Sequence, residues 1–286
     1  MISGFASNNI VFLIITLIYY LILKPKQTIN MYDTSNETNL EQIKSFKMKN
    51  YGALAIYFLT VVLTQFLLNA GIIKSNCGDS YSKAMGTAFF ITFIPWTLLF
   101  GVILFVLSIA PGFKSAFADV VGYFYVSSKA NNLLSELLLD REIASKTEEI
   151  QSKDEQKAVE LAGQTIIKIL GSNSLLINQI VPENFINYWN LLHPLKKVQF
   201  KNENDETTKK IKEDFFKMVV SRDNVGEALW FIYSGILLTA LVQLKITNIN
   251  CNANPEVMQA NYAKFLEEEQ KANEQKEKAK TTYELS

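Results

Sequence analysis

The sequence predicts an all-α membrane protein: four transmembrane helices, a helical extramembrane domain inserted before the fourth, and a charged C-terminal helix or tail. Three observations carry this expectation. Two long runs lack any charge, Tyr51–Ile73 (YGALAIYFLTVVLTQFLLNAGII) and Ala84–Ala110 (AMGTAFFITFIPWTLLFGVILFVLSIA), and a bilayer core needs about 20 apolar helical residues. The stretch between them, Lys74–Lys83 (KSNCGDSYSK), is too polar for lipid. Finally, the 286 residues carry 28 basic and 28 acidic side chains, gathered in connectors between charge-free runs. That segregation marks a polytopic membrane protein with sizeable aqueous parts.

Residues 1–110 read as the membrane region. Ile10–Leu23 (IVFLIITLIYYLIL), extended back to Ile2, makes a first span at about 2–23. A secretory signal peptide competes, but the start is not basic and no small-x-small site precedes Lys24-Pro25-Lys26. Tyr19 and Tyr20 suit an interface, with Lys24 and Lys26 as anchors. Gln27–Asn50 follows as a polar loop. Its sequon, Asn36-Glu37-Thr38, is a triplet that an Asn-rich chain produces by chance. Within the second span (51–73), Gln65 and Asn69 stand four apart on one face. We read them as polar glue between helices rather than a permeation path, because transporters usually carry ionisable groups at depth. In the third span (84–110), Pro95 is expected to kink the helix and Trp96 to pack.

Residues 111–225 read as the helical extramembrane domain. Its first segment, Phe113–Leu139, repeats apolar residues at spacings of three and four, with a break expected near Ser127-Ser128. The aromatic first half suits a bilayer interface, and equally an ordinary helix over a soluble core; both readings stand. Asp140–Asp154 is a charged linker, Gln156–Leu170 a helix stopped by Gly171, and Leu175–Leu192 a segment packing through Trp189 and Leu192. Lys201–Lys210 is a solvated charge run before a short helix at Ile211–Val219. The fourth span occupies 226–247 and begins at Gly226–Leu244, with Glu227 at its helix N-terminus, where the macrodipole favours a carboxylate without any proton relay. The tail, 248–286, starts amphipathically with Val257, Met258, Tyr262, Phe265 and Leu266, then turns to Glu/Lys/Ala repeats.

Four spans place the hairpin break and the tail on one side of the membrane, the first loop and the helical domain on the other. Lys24, Lys26, Lys44, Lys47, Lys49, Lys114, Lys217 and Arg222 flank the spans on the second side, against Lys74, Lys83 and Lys245 on the first. Positive charge therefore puts the helical domain in the cytoplasm or its topological equivalent. The only two cysteines, Cys77 and Cys251, then fall on the same non-cytoplasmic side, each just beyond a span. A Cys77–Cys251 disulfide would close a long loop and tie the fourth span to the hairpin; two unpaired thiols are the alternative.

The chain offers no glycine-rich phosphate loop, nucleophile elbow or H-E-x-x-H motif, and its single histidine, His193, precedes Pro194 at a helix end. Two cysteines without nearby histidine give too few metal ligands. Balanced charge without a Lys/Arg run argues against nucleic acid. No catalytic, cofactor or metal residue is assigned, and an enzyme is not expected.

The strip Pro111–Ser128 (PGFKSAFADVVGYFYVSS), directly after the apolar hairpin, resembles the membrane proteins of nucleocytoplasmic large DNA viruses. There, apolar spans are followed by a Pro-Gly-aromatic, Gly-Tyr-bearing strip; here Phe113-Lys114 and Gly122-Tyr123 take those places. The resemblance covers about Ala84 to Leu138. It implies a structural protein of the inner virion membrane, derived from a host internal membrane, that scaffolds the capsid as a minor capsid component. Its partners would be the bilayer, capsid or other virion proteins, and further copies of itself. Phe113, Phe117, Val121, Phe124, Tyr125, Tyr262 and Phe265 are the expected interface residues. The competing readings are a small channel or transporter, motivated by Gln65, Asn69, Pro95 and Glu227, and a cellular membrane-shaping or assembly factor.

Overall fold

A computed structural model of the chain describes residues 2–32, 37–78, 80–138, 173–249 and 255–283. Among them the regular structure is all helical, and the sole β-type pairing is an isolated bridge between Leu138 and Lys196. The helices used below are α1 (Ile2–Ile18, continued by a π turn at Tyr19–Leu23), α2 (Glu37–Cys77), α3 (Tyr81–Ile109), α4 (115–137), α5 (Phe185–Leu191), α6 (Glu206–Thr247) and α7 (Pro255–Tyr283). Three helical stretches are long and apolar enough to cross a membrane: Glu41–Cys77, Tyr81–Ile109 and Glu206–Thr247. The apolar part of α1, Ser7–Leu23, is shorter.

Several boundaries depart from the sequence reading, each for a local reason. The polar loop expected up to Asn50 is helical from Glu37, so α2 has 41 residues. Glu, Gln, Lys and Met are good helix formers, and a solvated charge does not end a helix. The hairpin break shrinks to 78–80, where Gly78 takes the left-handed conformation (φ 61°) that closes a helix. At Pro95, where a kink is expected, the helix continues but is irregular on both sides. Wide π turns at Phe89–Phe93 and Trp96–Phe100 flank the proline, which accommodates the missing N–H. No break occurs at Ser127-Ser128; the irregularity of α4 is a π turn at Ala118–Gly122. The short helix at Ile211–Val219 and the fourth span are one 42-residue helix, α6. Asp205 starts it, its Oδ2 accepting from the backbone N–H of Thr207 (3.1 Å) and Thr208 (3.3 Å). Asn36, Asp140–Asp154, Gln156–Leu170, Cys251 and the side chains of Val257 and Met258 lie outside the described residues.

The chain falls into two compact units, one of Met1–Leu13, Leu59–Phe100 and Gly235–Ser286, the other of Ile14–Phe58 and Gly101–Ser234. In the first unit, Phe12 packs against Trp96 and Phe100, with ring centroids 5.7 and 6.0 Å apart. Gly235 makes room for it, since a Cβ there would lie 2.1 Å from the Phe12 ring. Trp96 is thus a packing residue, as its sequence setting suggested.

The second unit contains a hydrophobic core built from α4, the 3₁₀ stretch Asn173–Gln179, α5 and the first half of α6. Phe185 is its centre, edge-on to Phe215 and Phe216 at 5.3 and 5.2 Å. Trp189 and Leu192 are buried in it, on the packing face expected of them. The same unit holds a stacked ladder in which Tyr57 lies 4.6 Å from Tyr19 and 5.5 Å from Phe231.

Candidate functional site

The chemistry of the second unit is concentrated in a buried charge cluster that the apolar patterning gives no hint of. Lys24 follows directly on the π turn of α1, Lys114 lies in the 3₁₀ turn before α4, and Asp223 and Glu227 stand four apart on one face of α6. Lys24 Nζ donates to Glu227 Oε1, and Tyr20 Oη donates to the same oxygen at 3.1 Å. Lys114 Nζ reaches Glu227 Oε2 at 2.7 Å and Asp223 Oδ2 at 3.1 Å. All four side chains are between 7% and 13% exposed, so water contributes little and the ions must satisfy one another. Two cations and two anions balance. Burial alone would lower the Lys114 ammonium's pKa, but the two carboxylates more than offset it and hold the group above its ordinary value. The arrangement is a neutral clamp joining three segments that are distant in sequence.

A second ionic contact lies one helical position away. The Arg222 guanidinium is buried, donates to the Ile177 carbonyl and stands 3.6 Å from Asp119. Between these charges α4 and α6 approach unusually closely. A Cβ on Gly122 would come within 2.6 Å of the Arg222 carbonyl oxygen, and one on Gly226 within 2.7 Å of Ala118 Cβ. Ala118, Gly122 and Gly226 therefore form a small-residue crossing.

The sequence reading of Glu227 needs correction. It does not sit at a helix N-terminus but inside α6, where two lysines rather than a macrodipole hold it. Lys24 in turn is not a free interfacial anchor, since its ammonium is held by Glu227. The signal available in the sequence was the matching position of opposite charges at the ends of apolar runs; nothing local could pair them.

Farther along, Lys196 is fully buried, its Nζ 3.5 Å from the Trp189 ring and 3.0 Å from Glu203 Oε1. Trp189 Nε1 donates to the same carboxylate oxygen at 2.9 Å. Desolvation pushes the Glu203 carboxyl up, yet the donors around it bring it below the usual range. The run at Lys201–Lys210 is exposed at most positions, as its charge suggested, and its half-exposed Glu203 reaches back to Lys196 and Trp189.

The residues expected to meet a partner divide into two kinds. Phe113, Val121, Phe124 and Tyr125 are exposed, Phe124 by 83%. Phe117 instead turns inward, edge-on to Trp230 at 5.1 Å, and Trp230 Nε1 donates to the Phe113 carbonyl at 2.9 Å. Val120, at the same helical spacing, is exposed and completes the strip. Tyr262 and Phe265 are exposed on α7.

In the first unit, Asn69 Oδ1 accepts from Asn8 Nδ2 and from Gln243 Nε2, both at 2.7 Å, and Gln65 Nε2 donates to the Asn8 carbonyl at 3.0 Å. This is the interhelical glue read from the sequence, although Gln65 Oε1 and Asn69 Nδ2 make no hydrogen bond. Among the described residues no group of His, Cys, Asp or Glu is placed to hold a metal ion. No family model, curated protein or solved structure matches this chain.

Proposed function

We propose that this chain is a structural, non-enzymatic membrane protein of a large DNA virus particle, which anchors the capsid to the inner membrane. One observation carries the reading: an uncovered strip of large apolar side chains (Phe113, Val120, Val121, Phe124, Tyr125) follows directly on a membrane-length helix. An exposed patch of that kind marks an interaction surface. It coincides with the Pro111–Ser128 stretch that resembles inner-membrane proteins of such viruses. In this function α1 serves as a fourth span beside α2, α3 and α6, and the helical core around Phe185 lies outside the bilayer. The Lys24–Glu227–Lys114–Asp223 clamp holds the strip's base against α6, so a load applied at the strip passes into the span.

Crosslinking in intact particles tests this directly. Photoreactive residues at Phe124 and Tyr125 are expected to bond capsid or other virion proteins or a second copy. Adducts with lipid alone would remove the scaffolding function.

A Cys77–Cys251 clasp belongs to the same proposal. Cys77 is buried at the end of α2, the chain has two cysteines, and none among the described residues is a free thiol. Wild-type chain is expected to run faster on a non-reducing gel than on a reducing one, and Cys77→Ser to abolish the difference. Identical mobilities for wild type under both conditions would exclude the clasp. The channel reading is less well supported, because Gln65 Nε2 and Asn69 Oδ1 are bound to neighbouring helices and no ionisable group lies beside them in the second span.

A further inference from the structure

Within the second unit, α2 and α3 leave between them an apolar groove that the anchoring role does not use. Tyr51, Ala55 and Phe58 line it from α2 and Gly101, Phe105 and Ser108 from α3, around a volume of about 360 Å³. That is large enough for a ligand chain. Two of the lining positions, Ala55 and Gly101, carry small side chains or none, so a larger residue there would occupy the groove. No charged residue lines it, and the Ser108 hydroxyl is turned back onto the Leu104 carbonyl at 2.8 Å. Both walls belong to helices long and apolar enough to cross a membrane, so the groove opens onto hydrocarbon, where an acyl chain is the natural occupant.

The end of the groove carries the second half of the argument. Positions 51, 55 and 58 follow helical spacing, and the same face continues backward through 47 and 44. These are Lys47 and Lys44, both exposed and forming no ion pair among the described residues. Because α2 is unbroken from Glu37, the helical rise puts them roughly 6 and 10 Å beyond Tyr51. That is where a lipid phosphate sits when its chain lies in the groove. We propose that the α2–α3 groove binds one acyl chain of an anionic phospholipid, with Lys44 and Lys47 holding its headgroup. The inference requires only that α2 and α3 lie in a bilayer, and it stands whether or not the chain belongs to a virus.

The full-length chain can be reconstituted in phosphatidylcholine vesicles containing a minority of phosphatidylserine, recovered in mild detergent, and its retained lipids identified by native mass spectrometry. Wild type is expected to keep a single phosphatidylserine in preference to phosphatidylcholine, by roughly five-fold per lysine. Lys44→Gln with Lys47→Gln, both at exposed positions that should not disturb folding, removes the preference but leaves a bound chain. Ala55→Leu fills the groove and removes the retained lipid of either kind. Equal retention of both lipids by wild type, or preference surviving in the lysine variant, overturns the proposal. So does a loss of self-association in Ala55→Leu, which would make a second copy the occupant, or equal competition by water-soluble glycerophosphoserine. Flotation with the vesicles separates the two levels: a chain that does not float refutes the bilayer placement, whereas one that floats without lipid preference refutes the groove alone.

Discussion

Glu227→Leu is expected to cost the folded chain about 3–5 kcal/mol, the penalty of leaving a buried charge without its partner. The substitution leaves two ammonium groups, Lys24 and Lys114, facing one carboxylate, Asp223, with little water to take up the excess. Tyr20 loses its acceptor as well. The companion result identifies the cause. Lys24→Met combined with Glu227→Leu removes one charge of each sign, restores neutrality and should recover most of the loss, since an apolar pair can replace a buried ion pair at little net cost. Denaturant unfolding of detergent-solubilised chain, followed by circular dichroism, measures both. If Glu227→Leu costs no more than Glu213→Gln, a change at an exposed i,i+4 pair with Lys217, the clamp is not structural.

The second large effect concerns a single methyl group. Gly226→Ala places a Cβ 2.7 Å from Ala118 Cβ and 2.8 Å from the Ala118 backbone nitrogen, and Gly122→Ala places one 2.6 Å from the Arg222 carbonyl oxygen. Backbone cannot rotate aside as a side chain can, so α4 and α6 must move apart, at about 1–3 kcal/mol for each substitution. Gly71→Ala in α2 meets nothing within 4 Å and is expected to be neutral or to stabilise by about 0.5–1 kcal/mol through helix propensity. Thermal melting of the three variants side by side decides the matter: Gly226→Ala and Gly122→Ala as harmless as Gly71→Ala would mean that the close crossing does not exist.

What the sequence disclosed follows what physical chemistry makes local. The charge-free runs at 51–73 and 84–110 were legible because hydrocarbon tolerates no alternative, and the packing face through Trp189 and Leu192 because apolar spacing follows the helical period. The exposed strip was legible as spacing but not as orientation. Phe117 shares the period of Phe113, Val121 and Phe124, yet it turns to Trp230, a partner 113 positions away in the chain. The starts of α2 and α6 differ from the sequence reading because runs such as Glu41-Gln-Ile-Lys and Glu206–Lys210 read as solvated connectors, whereas charged residues with long side chains continue a helix without difficulty. The pairing within the ionic clamp is not legible in the sequence. Lys24 and Glu227 are separated by 203 positions, and each had a sufficient local explanation, as an interfacial anchor and as a helix-terminal carboxylate. Only their meeting reveals that neither explanation holds.

The unbroken course of α6 has a consequence for assembly. At about 1.5 Å per residue, its 42 residues extend well beyond one bilayer thickness, and the part carrying Phe215 and Val219 in the helical core runs into the apolar part at Phe231 without a loop. Such a rod has almost no torsional slack. Turning α6 at Phe231 by some angle turns the buried face at Phe215 and Val219 by the same angle, and with it α4, which is locked to α6 at Gly122 and Gly226. Azimuth about the helix axis is thus preserved from Phe215 to Phe231. Copies set in a common rotational order within the bilayer would present their aromatic strips in that same order, a two-dimensional register that a flexible tether would lose.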